Sequence, residues 1–196
     1  MYLFWLFVKP YSMYVCSKIP AKKIPPIQNE LLKVPAYKLA AMIREQQISS
    51  ETVIQTYIER IKEVVILNAV VETRFEEALE EARMIDKEIQ SGTRSLEQME
   101  TETPLLGLPL TVKESIMVKG MSNQAGRVFK NKQIALEDAP VVKNAKISGA
   151  VILAVTNTPE LCLCWETYNN VTGITLNPYD MKRYFCLCFV FDNIDV

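Results

Sequence analysis

The fold of this chain is decided by residues 139–155, which read Ala-Pro-Val-Val-Lys-Asn-Ala-Lys-Ile-Ser-Gly-Ala-Val-Ile-Leu-Ala-Val. Asp138 as N-cap and Gly149 after the last turn predict a helix over Ala139–Ser148. The run Ala150–Val155 follows without a break, and such a continuous apolar run is typical of a strand that is buried on both faces of a sheet. The segment therefore predicts one helix that leads directly into a central strand.

The chain before this segment is predicted to be helical up to a first strand at Leu105–Val112. Apolar residues at three- and four-residue steps indicate three amphipathic helices. We expect the first over 36–48, a second capped by the serines at 49–50, and a third that ends at Gly92, followed by a polar loop over Gly92–Thr103. The strand, helix and strand that follow predict a parallel pair with a right-handed crossover, so the fold class is α/β with a helical N-terminal layer. The apolar positions are Leu39, Ala40, Ile43 and Ile48; Val53, Ile54, Tyr57, Ile58, Ile61, Val64 and Val65; and Phe75, Ala78, Leu79, Ala82, Ile85 and Ile89.

The composition restricts the classes of function. Of the 196 residues, 49% are hydrophobic and 23% are charged, which suits one globular domain or a large piece of a bigger one. The formal net charge is -1, so we expect no nucleic-acid partner, because phosphate binding needs a basic surface. Histidine is absent, which excludes Ser-His-Asp and Cys-His catalysis and removes the commonest zinc ligand.

The cysteines predict reduced thiols. Their number, 5, is odd, and their spacing lacks the pattern of a small disulfide-rich domain. The pairs Cys162-Leu163-Cys164 and Cys186-Leu187-Cys188 would supply four thiolates to a zinc ion if both lay on strands, since alternate strand residues point the same way. We interpret both pairs instead as small buried apolar residues, because neither has the usual ligand spacing. No metal and no cofactor is expected.

The amino terminus is strongly apolar but short. Residues 1–8, Met-Tyr-Leu-Phe-Trp-Leu-Phe-Val, are followed by Lys9 and Pro10 and fall far below the ~20 residues that span a bilayer. They also lack the basic region and the small-residue cleavage site of a signal peptide. Two interpretations stay open: a shallow membrane contact, or a terminus that packs on its own domain or stems from an incomplete gene model. We expect an intracellular protein, either cytoplasmic or membrane-associated.

One lysine ends an apolar, strand-like run. Residues 104–115 read Pro-Leu-Leu-Gly-Leu-Pro-Leu-Thr-Val-Lys-Glu-Ser, and strand alternation places Lys113 on the face opposite to Val112. On this pattern alone, Lys113 is a solvated lysine at a strand end, paired with Glu114. The alternative is a desolvated lysine whose amine acts as a base, because burial disfavours the ammonium form.

Several segments resemble one enzyme family in their order and spacing. The family is the amidase signature family, and within it the chain most resembles the fatty-acid amide hydrolase 2 type over residues 34–183. The resemblance implies an incomplete domain, in which a helical N-terminal layer is followed by strands of a mixed sheet covered by helices. The segments are Leu67-Asn68-Ala69-Val70-Val71-Glu72 with Arg74-Phe75-Glu76-Glu77-Ala78, the run from Pro104 to Ser115, Val118-Lys119-Gly120-Met121 with Ala125-Gly126, Val155-Thr156-Asn157-Thr158-Pro159-Glu160-Leu161, Trp165-Glu166-Thr167-Tyr168-Asn169-Asn170 and Asn177-Pro178-Tyr179-Asp180.

The resemblance divides the chain into three parts. Residues 1–33 form an apolar N-terminus and a connector rich in proline and lysine, 34–183 a partial amidase domain, and 184–196 a hydrophobic tail that is unlike the family. In the family, the Asn-Pro-Tyr-Asp segment leads within a few residues into Gly-Gly-Ser-Ser-Gly-Gly. Here Arg183 is followed by Tyr-Phe-Cys-Leu-Cys-Phe-Val-Phe. Both catalytic serines of the family are therefore expected to be missing.

The resemblance also implies roles for individual residues. Lys113 takes the place of the catalytic lysine, which in the family withdraws a proton from a serine in a cis peptide. That serine relays the proton from the nucleophilic serine, and the proton later returns to the leaving amine. Thr156, Asn157 and Thr158 are implied to lie near the active-site end of the sheet and to bind substrate. A polar loop that caps a strand explains these three residues equally well.

The sequence thus predicts a truncated amidase chain. Its intact relatives hydrolyse acyl amides, including fatty-acid amides, and this chain, with only the lysine, is expected to be inactive alone. One alternative is a non-catalytic binding or decoy module that associates with an intact amidase, its own copy or a homologue. Another is a gene-model fragment.

Overall fold

A computed structural model describes residues 23–181, together with Val8, Pro10, Tyr11 and Tyr14. Residues 1–7 of the proposed membrane contact, the second Cys-x-Cys pair and the tail over 184–196 lie outside the described residues. Within the described part of the chain, no helix is long and apolar enough to cross a membrane.

Between residues 23 and 181 the chain forms five α-helices and five short strands. Single 3-10 turns at Glu30–Lys33, Val65–Leu67 and Glu160–Cys162 connect some of them. The α-helices are α1 (Ala36–Arg44), α2 (Ser50–Glu63), α3 (Phe75–Ser91), α4 (Leu96–Glu102) and α5 (Pro140–Ile147). The strands are β1 (Val70–Thr73), β2 (Pro109–Lys113), β3 (Val151–Thr156), β4 (Tyr168–Asn169) and β5 (Gly173–Ile174).

Strand β3 is the centre of a mixed sheet with the order β1-β3-β2. Strand β2 runs parallel to β3, which confirms the parallel pair predicted around α5. Strand β1 lies antiparallel on the other edge of β3, with Val70 opposite Thr156. Strands β4 and β5 form a separate antiparallel hairpin. The α/β fold class is therefore confirmed.

Helices cover both faces of β3, all six residues of which are buried. Helices α2 and α3 pack on one face, and α5 with the loop after β2 packs on the other. The β2 register skips from Ile152 to Ala154, so Leu153 and Ala154 both lie on the α2–α3 side. The first cluster comprises Ile54, Ile58, Ala78, Ala82, Val151, Leu153 and Ala154, and the second Val112, Val118, Met121, Val142, Ile152 and Val155.

The three helices expected from apolar periodicity are present, with corrected ends. Ser49 caps α2, since its Oγ accepts a hydrogen bond from the Thr52 N–H at 3.1 Å. Gly92 ends α3 in the left-handed region, with φ of 66°. Helix α1 ends at Arg44 rather than 48, and α2 ends at Glu63. The expected apolar stripe of α2 is wrong at its end, where Val65 is 76% exposed.

Two predictions for the first half of the chain are wrong. The segment before β2 is not all helical, because Val70–Thr73 forms β1. The expected loop over Gly92–Thr103 contains α4, whose first turn is held by a capping box. In it, the Gln98 N–H donates to Ser95 Oγ at 3.2 Å, and the Ser95 N–H donates to Gln98 Oε1 at 2.9 Å.

Asp138 is not the N-cap of α5. Ala139 occupies the cap position without a side-chain hydrogen bond, and Pro140 begins the helix. The carboxylate of Asp138 instead accepts from the Lys119 N–H and from Lys146 Nζ, each at 2.8 Å. It thereby ties the loop after β2 to the last turn of α5.

The turn at Gly149, between α5 and β3, needs glycine. Its φ is +93°, and a Cβ atom there would lie 2.7 Å from Leu106 Cα. We expect Gly149→Ala to lower the free energy of unfolding by about 3 kcal/mol, because left-handed strain and backbone overlap add. Gly92→Ala is the matched control, since Gly92 also has positive φ but nothing within 4 Å, and we expect a loss of about 1 kcal/mol. Urea unfolding measures both, and equal losses would contradict the packing argument.

Candidate active site

The four predicted site residues lie at one edge of the sheet. Lys113 is the last residue of β2 and pairs with Thr156, the last residue of β3. Because β2 and β3 are parallel, both end at the same edge, where α/β proteins place ligands. The pairing extends one residue further, since the Glu114 N–H donates to the Thr156 carbonyl at 2.9 Å. Asn157 and Thr158 continue from this point and are buried.

Lys113 is half-buried, and its side chain lies against the thiol of Cys162. The same thiol forms hydrogen bonds with the Ser115 side chain and, at 3.3 Å, with Thr158 Oγ1. Ser115 follows Lys113 by two residues, in a turn that is closed by the Ile116 N–H donating to the Lys113 carbonyl at 2.8 Å. The structure thus adds Ser115 and Cys162 to the predicted site.

The expected pairing of Lys113 with Glu114 is wrong. The Glu114 carboxylate bonds instead to the segment after β2, since its Oε1 accepts from Ser122 Oγ at 2.8 Å and from the Gln124 N–H at 2.5 Å. Lys113 therefore faces hydroxyl and thiol groups rather than a carboxylate.

Lys113, Ser115 and Thr158 change the pKa of the Cys162 thiol. Burial raises the pKa of the Cys162 thiol, but hydrogen bonds with Ser115 and Thr158 and the charge of Lys113 outweigh burial. The pKa of the thiol is therefore lowered below its ordinary value. Lys113, Ser115 and Thr158 therefore favour negative charge at the position of the Cys162 sulfur.

The loop after Thr158 is folded back by unusual backbone angles. Leu161 and Cys162 have φ of 52° and 58°, a region that costs non-glycine residues free energy. The Leu161 N–H donates to the Ala125 carbonyl at 2.8 Å, which helps to fix the loop against the segment after β2. Sequence reasoning missed Cys162 because only this fold brings it to Lys113.

Asn157 joins β3 to the β4–β5 hairpin. Its Oδ1 accepts from Asn169 Nδ2 at 2.8 Å and from Thr172 Oγ1 at 2.6 Å. Its Nδ2 donates to Thr175 Oγ1 at 3.0 Å and to the Gly173 carbonyl at 3.2 Å. These contacts use both ends of the amide, so Asn157 holds the site edge in place. A substrate-binding role for Thr156, Asn157 and Thr158 stays a prediction.

The interpretation of the first Cys-x-Cys pair as buried apolar residues is wrong. Cys162 and Cys164 are exposed free thiols, because the segment forms a surface 3-10 turn and loop instead of a strand. Among the described residues, no group of three or more histidine, cysteine or acidic side chains is arranged to hold a metal ion.

Comparison with known proteins places this geometry in a family. Residues 52–186 match the sequence model of the family described as Amidase. The chain belongs to the amidase family. Over 181 residues this amidase-family chain is 44% identical to fatty-acid amide hydrolase 2-A of Danio rerio, and over 167 residues 38% identical to fatty-acid amide hydrolase 2 of Homo sapiens. These alignments cover 91% and 85% of the chain.

A solved structure supports the same assignment. The peptide amidase of Stenotrophomonas maltophilia superposes with a TM-score of 0.66 and 28% identity, over 76% of this chain and 31% of the peptide amidase. The chain spans only 34% and 31% of the two fatty-acid amide hydrolases. It is therefore a partial amidase domain, and the resemblance inferred from the motifs is confirmed.

The lowered pKa of the Cys162 thiol predicts selective alkylation. At pH 7 we expect iodoacetamide to modify Cys162 faster than Cys164, which is exposed on the same loop, because the thiolate is the reactive form. Lys113→Met removes a charge that lowers the pKa and should slow the reaction of Cys162 by about threefold to tenfold. Peptide mass mapping over time measures both rates. Lys119→Met is the control, and an equal effect of the two substitutions would contradict the assigned contact.

The hydrogen bonds of the Asn157 amide predict a large loss of stability when this side chain is removed. We expect Asn157→Ala to lower the free energy of unfolding by about 3 kcal/mol, since several buried polar groups lose their partner. Asn170→Ala is the control. Asn170 is exposed and, among the described residues, accepts one side-chain hydrogen bond, from the Tyr168 hydroxyl, so its loss should cost less than about 1 kcal/mol. If urea unfolding shows equal losses for the two variants, the stabilising role of the Asn157 hydrogen bonds is contradicted.

Proposed function

We propose that this chain is the lysine-bearing part of an amide hydrolase of the fatty-acid amide hydrolase type, with Lys113 as the general base. The observation that carries the proposal is the position of Lys113 at the carboxyl end of a parallel strand, with the Ser115 hydroxyl in the same side-chain cluster. An amine in this position can take a proton from a neighbouring hydroxyl and return it to a leaving amine.

The proposed chemistry needs groups besides Lys113. The family resemblance implies a nucleophilic serine, a bridging serine and a glycine-rich backbone that stabilises the oxyanion. The 196 residues contain no Gly-Gly-Ser-Ser-Gly-Gly motif. A base without these groups has no route to an acyl-enzyme, so we infer that the chain alone does not turn over amides. The proposed substrate of the complete site is an acyl amide, consistent with the relatives named fatty-acid amide hydrolases.

A second candidate function is association with an intact amidase. The observation that favours it is an exposed apolar segment after the site, in which Leu163 and Trp165 are 82% and 86% exposed. Large apolar side chains in a contiguous exposed segment indicate a contact surface. The proposed partner is an intact amidase of the same family or a second copy of this chain. Co-purification of an affinity-tagged chain with such an amidase tests it, and Leu163→Ser with Trp165→Ser should abolish the association.

The general-base role is tested by complementation. The chain is mixed with the carboxyl-terminal two-thirds of the Danio rerio relative, and hydrolysis of a long-chain acyl amide is followed by amine release. We expect turnover only when both are present. Lys113→Ala should reduce the restored rate by about 10²- to 10⁴-fold, the usual contribution of general acid–base catalysis.

The control for this experiment is Lys119→Ala, because Lys119 is exposed and its side chain lies outside the cluster around Cys162. It should keep the restored rate. Turnover by the chain alone that Lys113→Ala abolishes would contradict the inferred inactivity. Restored turnover that survives Lys113→Ala would exclude Lys113 as the base.

A further inference from the structure

A cleft of about 320 Å³ lies next to the end of β2, and its lining includes Asn157 and Thr158 but not Lys113. We call it the Glu114 cleft. It is bounded by the segment 122–132, the end of β3 and the β4–β5 hairpin, with Glu114 in its lining. Its volume is at the lower end of the ~300–1,000 Å³ range of small-molecule sites. The Glu114 cleft therefore suits a short ligand.

The polar feature of the cleft is one carboxylate oxygen. Glu114 is only 4% exposed, and its Oε1 is occupied by Ser122 and Gln124. Its Oε2 is buried and has no hydrogen-bond partner among the described residues. A buried carboxylate oxygen without a donor is costly, so the site is complete only when a ligand presents an N–H or O–H group.

The neighbouring cations leave this oxygen without a counter-charge. Lys132 also lines the cleft, but its Nζ lies 2.7 Å from Glu72 Oε1. Arg127 stacks on the Phe129 ring at 4.7 Å and donates from Nε to the Gln124 carbonyl at 3.3 Å. Among the described residues that line the cleft, Lys132 is the one cation and is paired with Glu72, so Glu114 has no counter-charge there and a cationic ligand is favoured over a neutral donor.

The apolar side chains that line the cleft indicate that the cation carries an alkyl group. Val71, Phe129 and Val171 supply apolar surface, and Phe129 and Val171 are partly exposed. A ligand whose charged head reaches Glu114 would lay an alkyl group along these side chains. Burial of each methylene contributes about 0.8 kcal/mol at most, so chain length should strengthen binding.

We propose that the Glu114 cleft binds a primary alkylammonium ion. Its ammonium group donates to Glu114 Oε2, and its alkyl chain packs against Val71, Phe129 and Val171. The proposal does not depend on Lys113 acting as a base, because binding in this cleft is measured without turnover.

The test is a saturation-transfer NMR titration of the whole chain with n-butylammonium. n-Butanol and n-butyrate are the neutral and anionic probes of the same length. We expect saturable binding of n-butylammonium and none of the other two. Equal binding of n-butanol would show an apolar pocket only. Absence of saturable n-butylammonium binding would mean that water alone solvates Glu114 Oε2. Equal n-butanol binding or absent n-butylammonium binding would each overturn the proposal.

Two variants locate the site. Glu114→Gln keeps the Oε1 acceptor and turns Oε2 into an N–H donor, so we expect affinity to fall by about tenfold or more. Glu137→Gln is the matched control, because Glu137 is an exposed carboxylate outside the cleft lining, and affinity should stay within about twofold of wild type. Unchanged affinity of a folded Glu114→Gln variant would overturn the proposal.

A third variant decides the case in which circular dichroism shows Glu114→Gln unfolded. In Phe129→Ala the head-group site stays and one apolar wall is lost. We expect the preference for n-butylammonium over methylammonium to fall several-fold in this variant. An unchanged ratio would place the bound amine outside the Glu114 cleft and would overturn the proposal.

Discussion

The complete burial of β3 is the constraint on which the rest of this structure depends. A strand whose six residues are all buried needs apolar cover on both faces and a hydrogen-bonding neighbour on each edge. Helices α2 and α3 provide one cover and α5 the other, while β1 and β2 satisfy the edges. Gly149 permits the tight entry into β3, because any side chain there would overlap with Leu106.

The position of the site follows from the end of β3. The parallel register brings Lys113 level with Thr156, and the chain beyond carries Asn157, whose amide fastens the β4–β5 hairpin beside the same edge. The next loop folds back and sets Cys162 against Lys113. Strand β3 thus positions the end of β2, the β4–β5 hairpin and the loop that carries Cys162 close to Lys113.

The two faces of the segment after β2 have opposite electrostatic characters. Lys113 and Ser115 face a thiol whose pKa is lowered, so that side favours negative charge. Glu114, between them, turns its carboxylate into a cleft with one unpartnered oxygen, so that side favours a cation. The backbone turns at Glu114 and Ser115, where the Ile116 N–H donates to the Lys113 carbonyl, and adjacent residues therefore contribute to different surfaces.

Regular elements were predictable where a local signal exists. The apolar period of α1, α2 and α3 and the run in β3 indicated them correctly, because each pattern reflects burial on a fixed face. The polar helix α4 was missed, although Ser95 and Gln98 are a local capping signal. Strand β1 was missed because its four residues, Val-Val-Glu-Thr, have no alternation of polarity and become a strand only by pairing with distant β3.

The sequence by itself determined the family, the α/β class and the place of Lys113 at a strand end, since motif order and periodicity are local properties. Only the tertiary structure decided three features of the site. The Cys162 thiol lies at Lys113, and the Asn157 amide bonds to the β4–β5 hairpin. Glu114 Oε2 has no hydrogen-bond partner among the described residues. Contacts of this kind join residues far apart in the chain, and which donor reaches which acceptor depends on how the loops fold over the sheet edge.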